Sequence, residues 1–301
     1  MSELLELPAT LVARPLVMSD ATAVYEVMAA SEVHDVGWAE IAEADIVADW
    51  QRPSYDVSAA TVGVFDGDRL VAYAEFMGHD RGDASVHPAY RGRGIGTALA
   101  GWMQQRARAG GATKVGMPVP VGSDGDRLLE ALGYEVRWNS WVLTLPEGTT
   151  IPDRELPEGY TLREAGPDDY EACWTVLEDA FLEWSVRDRE PFEDFVARTL
   201  ERPGFQPWNL RLVTDGDGEV VGVTIVLLYD TEAYVDRIAT RKDQRGKGLA
   251  QAMLVDAFAV AREHGATTSG LNTDSRTGAL GLYEKVGMKV TQNWVNRAID
   301  V

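Results

Sequence analysis

The sequence predicts a mixed α/β protein made of two tandem copies of one domain, on three observations. First, the apolar run Ala233 to Thr240 leads into the stretch Arg241-Lys242-Asp243-Gln244-Arg245-Gly246-Lys247-Gly248-Leu249-Ala250. Apolar residues then recur at helical spacing from Gln251 to Arg262, so the order is strand, glycine turn, helix. Second, His87-Pro88-Ala89-Tyr90-Arg91-Gly92-Arg93-Gly94-Ile95-Gly96 repeats that order before the helical run Thr97 to Ala109. Third, Leu128-Leu129-Glu130-Ala131-Leu132-Gly133-Tyr134 parallels Leu282-Tyr283-Glu284-Lys285-Val286-Gly287-Met288. Arg91 and Arg245 are 154 residues apart, and so are Gly133 and Gly287. Two separate motifs sharing one offset mark a duplicated domain.

The remaining elements follow in order. Val12 to Met28 and Leu162 to Leu177 each read as a short strand, a cap and a helix, with Ser19-Asp20 and Pro167-Asp168-Asp169 supplying the cap chemistry. Thr61 to Ala74 is a hairpin turning at Asp66-Gly67, and Leu210 to Val226 is its counterpart. Extended segments, Glu135 to Leu145 and Lys289 to Ile299, close the two halves. The Pro-, Gly- and charge-rich stretch from Pro146 to Gly159 reads as a linker. The first domain is expected over residues 1–147, the linker over 148–158 and the second domain over 159–301. The order strand–helix–helix–hairpin–strand–helix–strand–helix–strand is a mixed α/β pattern.

Composition narrows the function. A chain of 301 residues with 45% hydrophobic residues has enough apolar material for two cores. The net charge of −20, from 28 basic and 48 acidic residues, argues against nucleic acid and anionic membrane surfaces and favours a cationic small substrate such as an amine. A lone Cys173 forms no internal disulfide, which fits a reducing compartment. The start Met1-Ser2-Glu3-Leu4-Leu5-Glu6 lacks the basic region of a signal peptide, and no apolar run is long enough to span a bilayer, so a cytoplasmic protein is expected. His34, His79, His87 and His264 show no ligand spacing, and no metal site is expected.

A glycine turn before a helix exposes backbone N–H groups at the positive end of the helix dipole, a setting suited to phosphate or pyrophosphate. The spacing is neither that of a P-loop nor that of a dinucleotide fingerprint. The pattern Arg245-Gly246-Lys247-Gly248-Leu249-Ala250 resembles the coenzyme A pyrophosphate loop of the GNAT superfamily of N-acetyltransferases. The whole chain except its linker resembles tandem GNAT proteins of the mycothiol synthase-like actinobacterial kind. Each domain is then expected to be a mixed, mostly antiparallel sheet flanked by helices.

The resemblance implies an acetyl-CoA-dependent N-acetyltransferase that acetylates the primary amine of a small molecule by direct transfer in a ternary complex. Ile238, Ala239 and Thr240 would pair with pantetheine amides, with the Ile238 N–H polarising the acetyl carbonyl. Arg245 to Ala250 would hold the diphosphate, with Arg241, Lys242 and Lys247 as further candidates for phosphate, and Asn272 would order pantetheine or a water. Tyr283 matches the tyrosine that protonates the leaving thiolate, aimed by a helix beginning near Thr277. The base is open between Glu232, which matches an acceptor-site glutamate, and Asp236. At strand period two they share a face with Tyr234 and Ile238, and stand roughly 13 Å apart.

In the first half Leu129 occupies the place of Tyr283, and the strand before the loop, Asp83 to Val86, is short. Arg91, Gly92, Arg93, Gly94, Ile95 and Gly96 are intact, so that half is expected to bind coenzyme A without catalysing. The acceptor side is expected along Phe181 to Phe192, whose first-half counterpart is Val33 to Trp38. A protein or peptide acetyltransferase and a non-catalytic acyl-CoA-binding module are the alternatives. The oligomeric state is open between monomer and homodimer.

Overall fold

The computed structural model describes residues 5–301, so the first four residues of the N-terminal reading lie outside the described residues. The chain folds into two compact units. Of the described residues, unit 1 holds 5–139, 196–203 and 293–301, and unit 2 holds 140–195 and 204–292. The units therefore do not coincide with the two sequence repeats on either side of 148–158.

Unit 1 begins with β1 (Leu11–Arg14), α1 (Ala21–Val36), α2 (Glu43–Trp50) and α3 (Val57–Ala60). It continues through β2 (Thr61–Asp66), β3 (Arg69–Phe76), β4 (Gly82–Val86), α4 (Ile95–Ala109), β5 (Lys114–Pro120) and α5 (Asp124–Ala131). The strand β6 (Glu135–Leu145) leaves it. Strands β1 to β4 form an antiparallel sheet in chain order. Apolar side chains of α4, including Leu99, Met103 and Ala107, bury one face against Val64, Val71, Ala72 and Ala74. Val24 and Val27 of α1 and Trp50 of α2 bury the other face against Phe65, Leu70 and Tyr73.

Unit 2 contains β7 (Thr161–Glu164), α6 (Tyr170–Phe181), α7 (Phe192–Phe195), β8 (Leu210–Thr214) and β9 (Val220–Tyr229). These are followed by β10 (Glu232–Thr240), α8 (Leu249–Glu263), β11 (Thr268–Asp274), α9 (Leu280–Glu284) and β12 (Lys289–Asp300). Strands β7 to β10 are antiparallel, whereas β10 and β11 run parallel. Leu254, Ala257 and Phe258 of α8 pack on Val226, Val235 and Leu271.

The repeat is visible in small devices. Arg14 grips Asp20 with both terminal nitrogens at 2.8 Å, and Arg163 grips Asp169 at 2.6 and 2.8 Å. Each aspartate also accepts a backbone N–H three residues back, Val17 and Gly166 respectively. Both carboxylates thus fasten the short turn that precedes the helix, rather than capping the helix by a side-chain bond. These pairs lie 149 residues apart, against 154 for the glycine loops. The extra residues lengthen the hairpin turn of unit 2 and the strands β9 and β10.

Each unit is completed by a strand from the end of a repeat. In unit 2, β11 pairs with Ser140 to Leu145 of β6. In unit 1, β5 pairs with Trp294 to Asp300 of β12. Arg297 fixes that last strand from within unit 1. It is 8% exposed and donates to Asp126, Glu130 and the carbonyl of Tyr134. A chain begun at Gly148 loses the outer neighbour of β11 and keeps the second half of β12 without β5. It should partition to the insoluble fraction, or melt well below the full chain, because an unpaired apolar strand edge seeks another chain. Soluble expression and a thermal melt check this, and an equally stable fragment would contradict it.

Candidate active site

In unit 2 the strand β10 ends at Thr240, a tight turn spans Lys242–Gln244, and α8 begins at Leu249. Gly246 and Gly248 adopt φ of +78° and +85°, the left-handed region that penalises a side chain. Nothing lies within 4 Å of where their Cβ atoms would be, so the loop presents bare backbone to open space. The N–H groups of Gly246, Lys247 and Gly248 meet no acceptor among the described residues. Those of Leu249 and Ala250 belong to the first helical turn, which has no intrahelical acceptor to offer them. Amides of this kind at a helix N-terminus suit a diphosphate.

The loop arginines are committed elsewhere, whereas the Lys242 side chain is 80% exposed and 3.9 Å from Glu183. Arg245 donates to the carbonyl of Thr240 at 3.1 Å and to both carboxylate oxygens of Glu183 at 2.9 and 2.7 Å. Lys247 donates to Tyr160 at 2.8 Å and to Gln244 at 2.5 Å. Arg241 grips Asp243 at 2.7 and 3.1 Å. The two arginines are thus engaged by carboxylates and backbone, and the lysines Lys242 and Lys247 keep their charge beside the loop amides.

Beside the loop the sheet splits. β10 pairs with β11 only over Glu232–Val235 and Thr268–Leu271. Past that point β10 stays with β9 to Thr240, and β11 stays with β6 to Asp274, so their facing edges part. A bulge at Asp236 marks the split, where the register of β10 on β9 slips between Val235 and Arg237. The extra residue resets the side-chain alternation. Glu232 and Tyr234 share a face with Arg237 and Ala239, while Ile238 and Thr240 fall on the other face with Val235. The expectation that Glu232, Tyr234, Asp236 and Ile238 line one face is therefore corrected. Ile238 packs toward α8 instead.

The two candidate bases differ in setting. Asp236 sits on the bulge, exposed, with Arg237 Nε at 3.7 Å. Glu232 is half-buried, and burial alone raises its pKa above the ordinary glutamate value. Its carboxylate lies over Gly270 of β11, where a Cβ would collide with Oε1. Asn272, two residues on, is exposed on the face of Gly270.

Tyr283 approaches from the opposite face. It is 7% exposed, packed with Leu254, Phe258, Leu271 and Met288. Burial pushes its phenol up to about 12, opposed by a hydrogen bond with Thr273 of β11, so it carries its proton at neutral pH. Its helix begins at Leu280 and not near Thr277. The Thr277 hydroxyl bonds Thr273, the Asp274 carbonyl and the Ala279 N–H, a local turn that competes with helix.

Unit 1 repeats the loop but has Leu129 where unit 2 has Tyr283. Gly92 and Gly94 adopt φ of +73° and +82°, again facing open space. Ile95 is buried, Arg93 donates to the Ala89 carbonyl at 3.0 Å, and Arg91 is tied to Asp35 and Ser31 at 2.7–2.8 Å. Leu129 is a core residue, 3% exposed. β4 is five residues long, and an isolated parallel bridge to β5 joins Gly116 to Arg81, the residue just before β4.

On the α1 and α2 face of unit 1 the strands hold two carboxylates the sequence reading missed, Glu75 buried and Asp83 partly buried. Glu75 and Asp83 are directly opposed across β3 and β4. Glu75 accepts from Tyr55 at 2.8 Å and Trp50 at 3.4 Å. Burial, and then the neighbouring Asp83, push Glu75 up to about 7, and burial raises Asp83 as well. A glutamate inside the apolar run Leu70 to Phe76 was the available signal.

Three comparisons bear on this arrangement. The family model described as "Acetyltransferase (GNAT) family" matches residues 23–134 and 168–288. A mycothiol acetyltransferase of Thermobispora bispora is 29% identical over 237 residues, 74% of this chain and 78% of that protein. One from Salinispora arenicola is 32% identical over 220 residues, 68% of each chain. Among solved structures, a GCN5-related N-acetyltransferase from Sphaerobacter thermophilus superposes with a TM-score of 0.74 at 28% identity, covering 98% of this chain and 96% of its own. A tandem GNAT protein from the clavulanic acid biosynthesis pathway gives 0.71 at 18% identity over 96% and 98%, and shares the fold. No helix among the described residues is long and apolar enough to cross a membrane.

The raised Glu75 carries a pH consequence. The folded chain holds a proton there that the unfolded chain releases near the ordinary glutamate pKa. Stability is fullest below that value and falls as pH rises toward about 7. Glu75→Gln keeps an acceptor for Tyr55 and Trp50 and removes the penalty. Melts at pH 5 and pH 8 should show the variant gaining on the parent by on the order of 2 kcal/mol at the higher pH. A gain at pH 5 alone would be the wrong sign.

Proposed function

The chain belongs to the acetyltransferase (GNAT) family, and from that premise we propose that unit 2 moves an acetyl group from acetyl-CoA to the primary amine of a small molecule by direct transfer in a ternary complex. That the chain is an N-acetyltransferase using an acyl-CoA follows from the family and its relatives. The observation that carries the finer reading is the slot between β10 and β11, which opens beside the amides of Gly246 to Ala250.

In this reading the loop amides take the diphosphate, and the unpaired edge of β10 from Asp236 to Thr240 offers hydrogen bonds to the amides of the pantetheine arm. Transfer then needs a base and an acid. Glu232, half-buried and raised by burial alone, takes a proton from the acceptor's ammonium, directly or through a water, so that the neutral amine attacks the thioester carbonyl, and the second N–H proton leaves to solvent as the amide forms. The new C–N bond forms as the C–S bond breaks. Tyr283 gives its phenolic proton to the departing thiolate and recovers one from solvent. The acid and the base stand on opposite faces of the split sheet, so the nucleophile and the leaving group are served from different sides.

Asp236, exposed beside Arg237, is the weaker candidate for the base. Unit 1 is assigned coenzyme A binding at Arg91 to Gly96 without turnover, since Leu129 has no proton to give. The mycothiol acetyltransferase relatives support a small-molecule acceptor over a peptide.

Thiol release from acetyl-CoA, measured over a panel of small amines, tests the reading. Tyr283→Phe should lower kcat by about 10²–10³ with KM for acetyl-CoA unchanged. Glu232→Gln should cost a similar factor and erase the acid limb of the pH profile, which in the parent lies above the ordinary glutamate range. Full activity in the Phe variant would remove the acid from the scheme, and an acid limb surviving Glu232→Gln would move the base to another group.

A further inference from the structure

The first arginine of each glycine loop is tied in the same way. In unit 1 Arg91 donates from Nε to the carbonyl of Val86, the last residue of β4, at 3.3 Å. Its terminal nitrogens meet Asp35 at 2.7 and 2.8 Å, near the end of α1. In unit 2 Arg245 donates from Nε to Thr240, the last residue of β10, and from both terminal nitrogens to Glu183, two residues past α6. Each arginine fastens the strand end, the loop and the end of the first long helix together. Bidentate arginine–carboxylate pairs fix orientation as well as distance.

In unit 2 this tie has a second end. The segment that starts at Glu183 runs back to β10, where Glu190 meets Arg237 at 3.3 Å, with side-chain exposures of 10% and 11%. Buried Glu178 holds the segment in shape. It accepts two bonds of 2.7 Å from Arg187 and one of 2.8 Å from the Glu190 N–H. Trp174 donates to the Glu190 carbonyl at 3.0 Å. Arg276, just past β11, lies 4.7 Å over the ring of Trp184. The segment 183–190 therefore touches the glycine loop, the far arm of the slot and Arg237, which shares its face of β10 with Glu232.

We propose that Arg245 is a positioning residue, not a phosphate ligand, and that through Glu183 it links occupancy of the glycine loop to the segment 183–190 that borders the Glu232 side of the slot. The link rests on the reading of the loop as a coenzyme A site. Binding a diphosphate holds Gly246 to Gly248 still, Arg245 passes that order to Glu183, and the segment is set before the acceptor arrives. The cost of ordering the segment is then met once for both ligands.

The sign of one mutation separates this from plain electrostatics. Glu183 is negative and lies on the arginine beside the loop. If it acted only as a charge, Glu183→Gln should tighten the binding of an anionic ligand. If it positions the loop, the same change should loosen it.

The probe is free coenzyme A, followed by hydrogen–deuterium exchange of the full-length protein, which reports each loop separately and needs no turnover. Titration should protect residues 241–250 and also 183–190 in the parent. In Glu183→Gln the half-protection concentration for 241–250 should rise about threefold, as expected for a partly exposed ion pair. Protection of 183–190 should be lost. Arg245→Lys, which keeps the charge but not the fork, should behave like Glu183→Gln.

Binding that is equal or tighter in Glu183→Gln overturns the proposal, as does undiminished protection of 183–190. If coenzyme A fails to protect 241–250 in the parent, the cofactor reading falls and this link with it. That outcome is distinct, because it appears before any substitution is made.

Discussion

The structure of unit 2 turns on one break in a β-ladder. Where β10 and β11 stop pairing, after Val235 and Leu271, each strand keeps its outer neighbour and loses its inner one. Backbone groups along such an edge need partners, because leaving buried amides unpaired costs on the order of 1–3 kcal/mol each. A ligand with amides of its own meets that need by adding itself as a strand. The bulge at Asp236 is the local cause, since an extra residue cannot be matched in the ladder and bends the strand away. The glycine loop lies at the end of the same strand, so in the proposed reading the edge that would order an amide-bearing arm and the loop that would hold its diphosphate are one continuous stretch of backbone.

The two repeats show which parts of that device are cheap to keep. Both loops hold glycines at nearly the same positive φ, and both arginines make the same ties. What differs is the chemistry around them. Unit 1 has a buried leucine where unit 2 has a buried phenol, and a five-residue β4 where unit 2 has nine residues in β10. On the face where unit 2 sets Glu232 and Arg237, unit 1 holds Glu75 and Asp83 among Trp50, Tyr55 and Tyr73. Glu75 there is enclosed by aromatic donors at a cost once it is ionised, whereas Glu232 has been left accessible over a glycine.

Much of this was legible in the residues. Strand, turn and helix around Gly246 and Gly248 follow from local pattern, and the helix α8 begins two residues before the apolar periodicity is clear. The duplication follows from two motifs at one offset. Three features were not legible, each for a long-range reason. A bulge changes which side chains share a face, and it arises from pairing with β9, so period-two counting placed Ile238 beside Glu232 wrongly. The partners of Arg91 and Arg245 lie 56 and 62 residues away, so no spacing rule distinguishes a tie from a phosphate contact. The pairing of β6 with β11 and of β12 with β5 depends on tertiary contacts, which sequence repeats do not encode.

The charge distribution bears on how such a site works in a chain of net charge −20. The protein's overall field repels a diphosphate, and the two arginines nearest the loop are neutralised by Glu183 and Asp243, leaving Lys242 and Lys247 as the local positive charge. In the proposed reading, affinity then comes mainly from short-range amide donors and the helix terminus, which act over one turn and are aimed, not from long-range attraction. A site of that kind discriminates by geometry. It favours a ligand whose diphosphate sits at a fixed distance from a chain of amides over any free polyanion. That preference in turn requires the loop to be held rigidly to the end of β10, and Arg245 is the side chain that bonds the Thr240 carbonyl and the first long helix's end together.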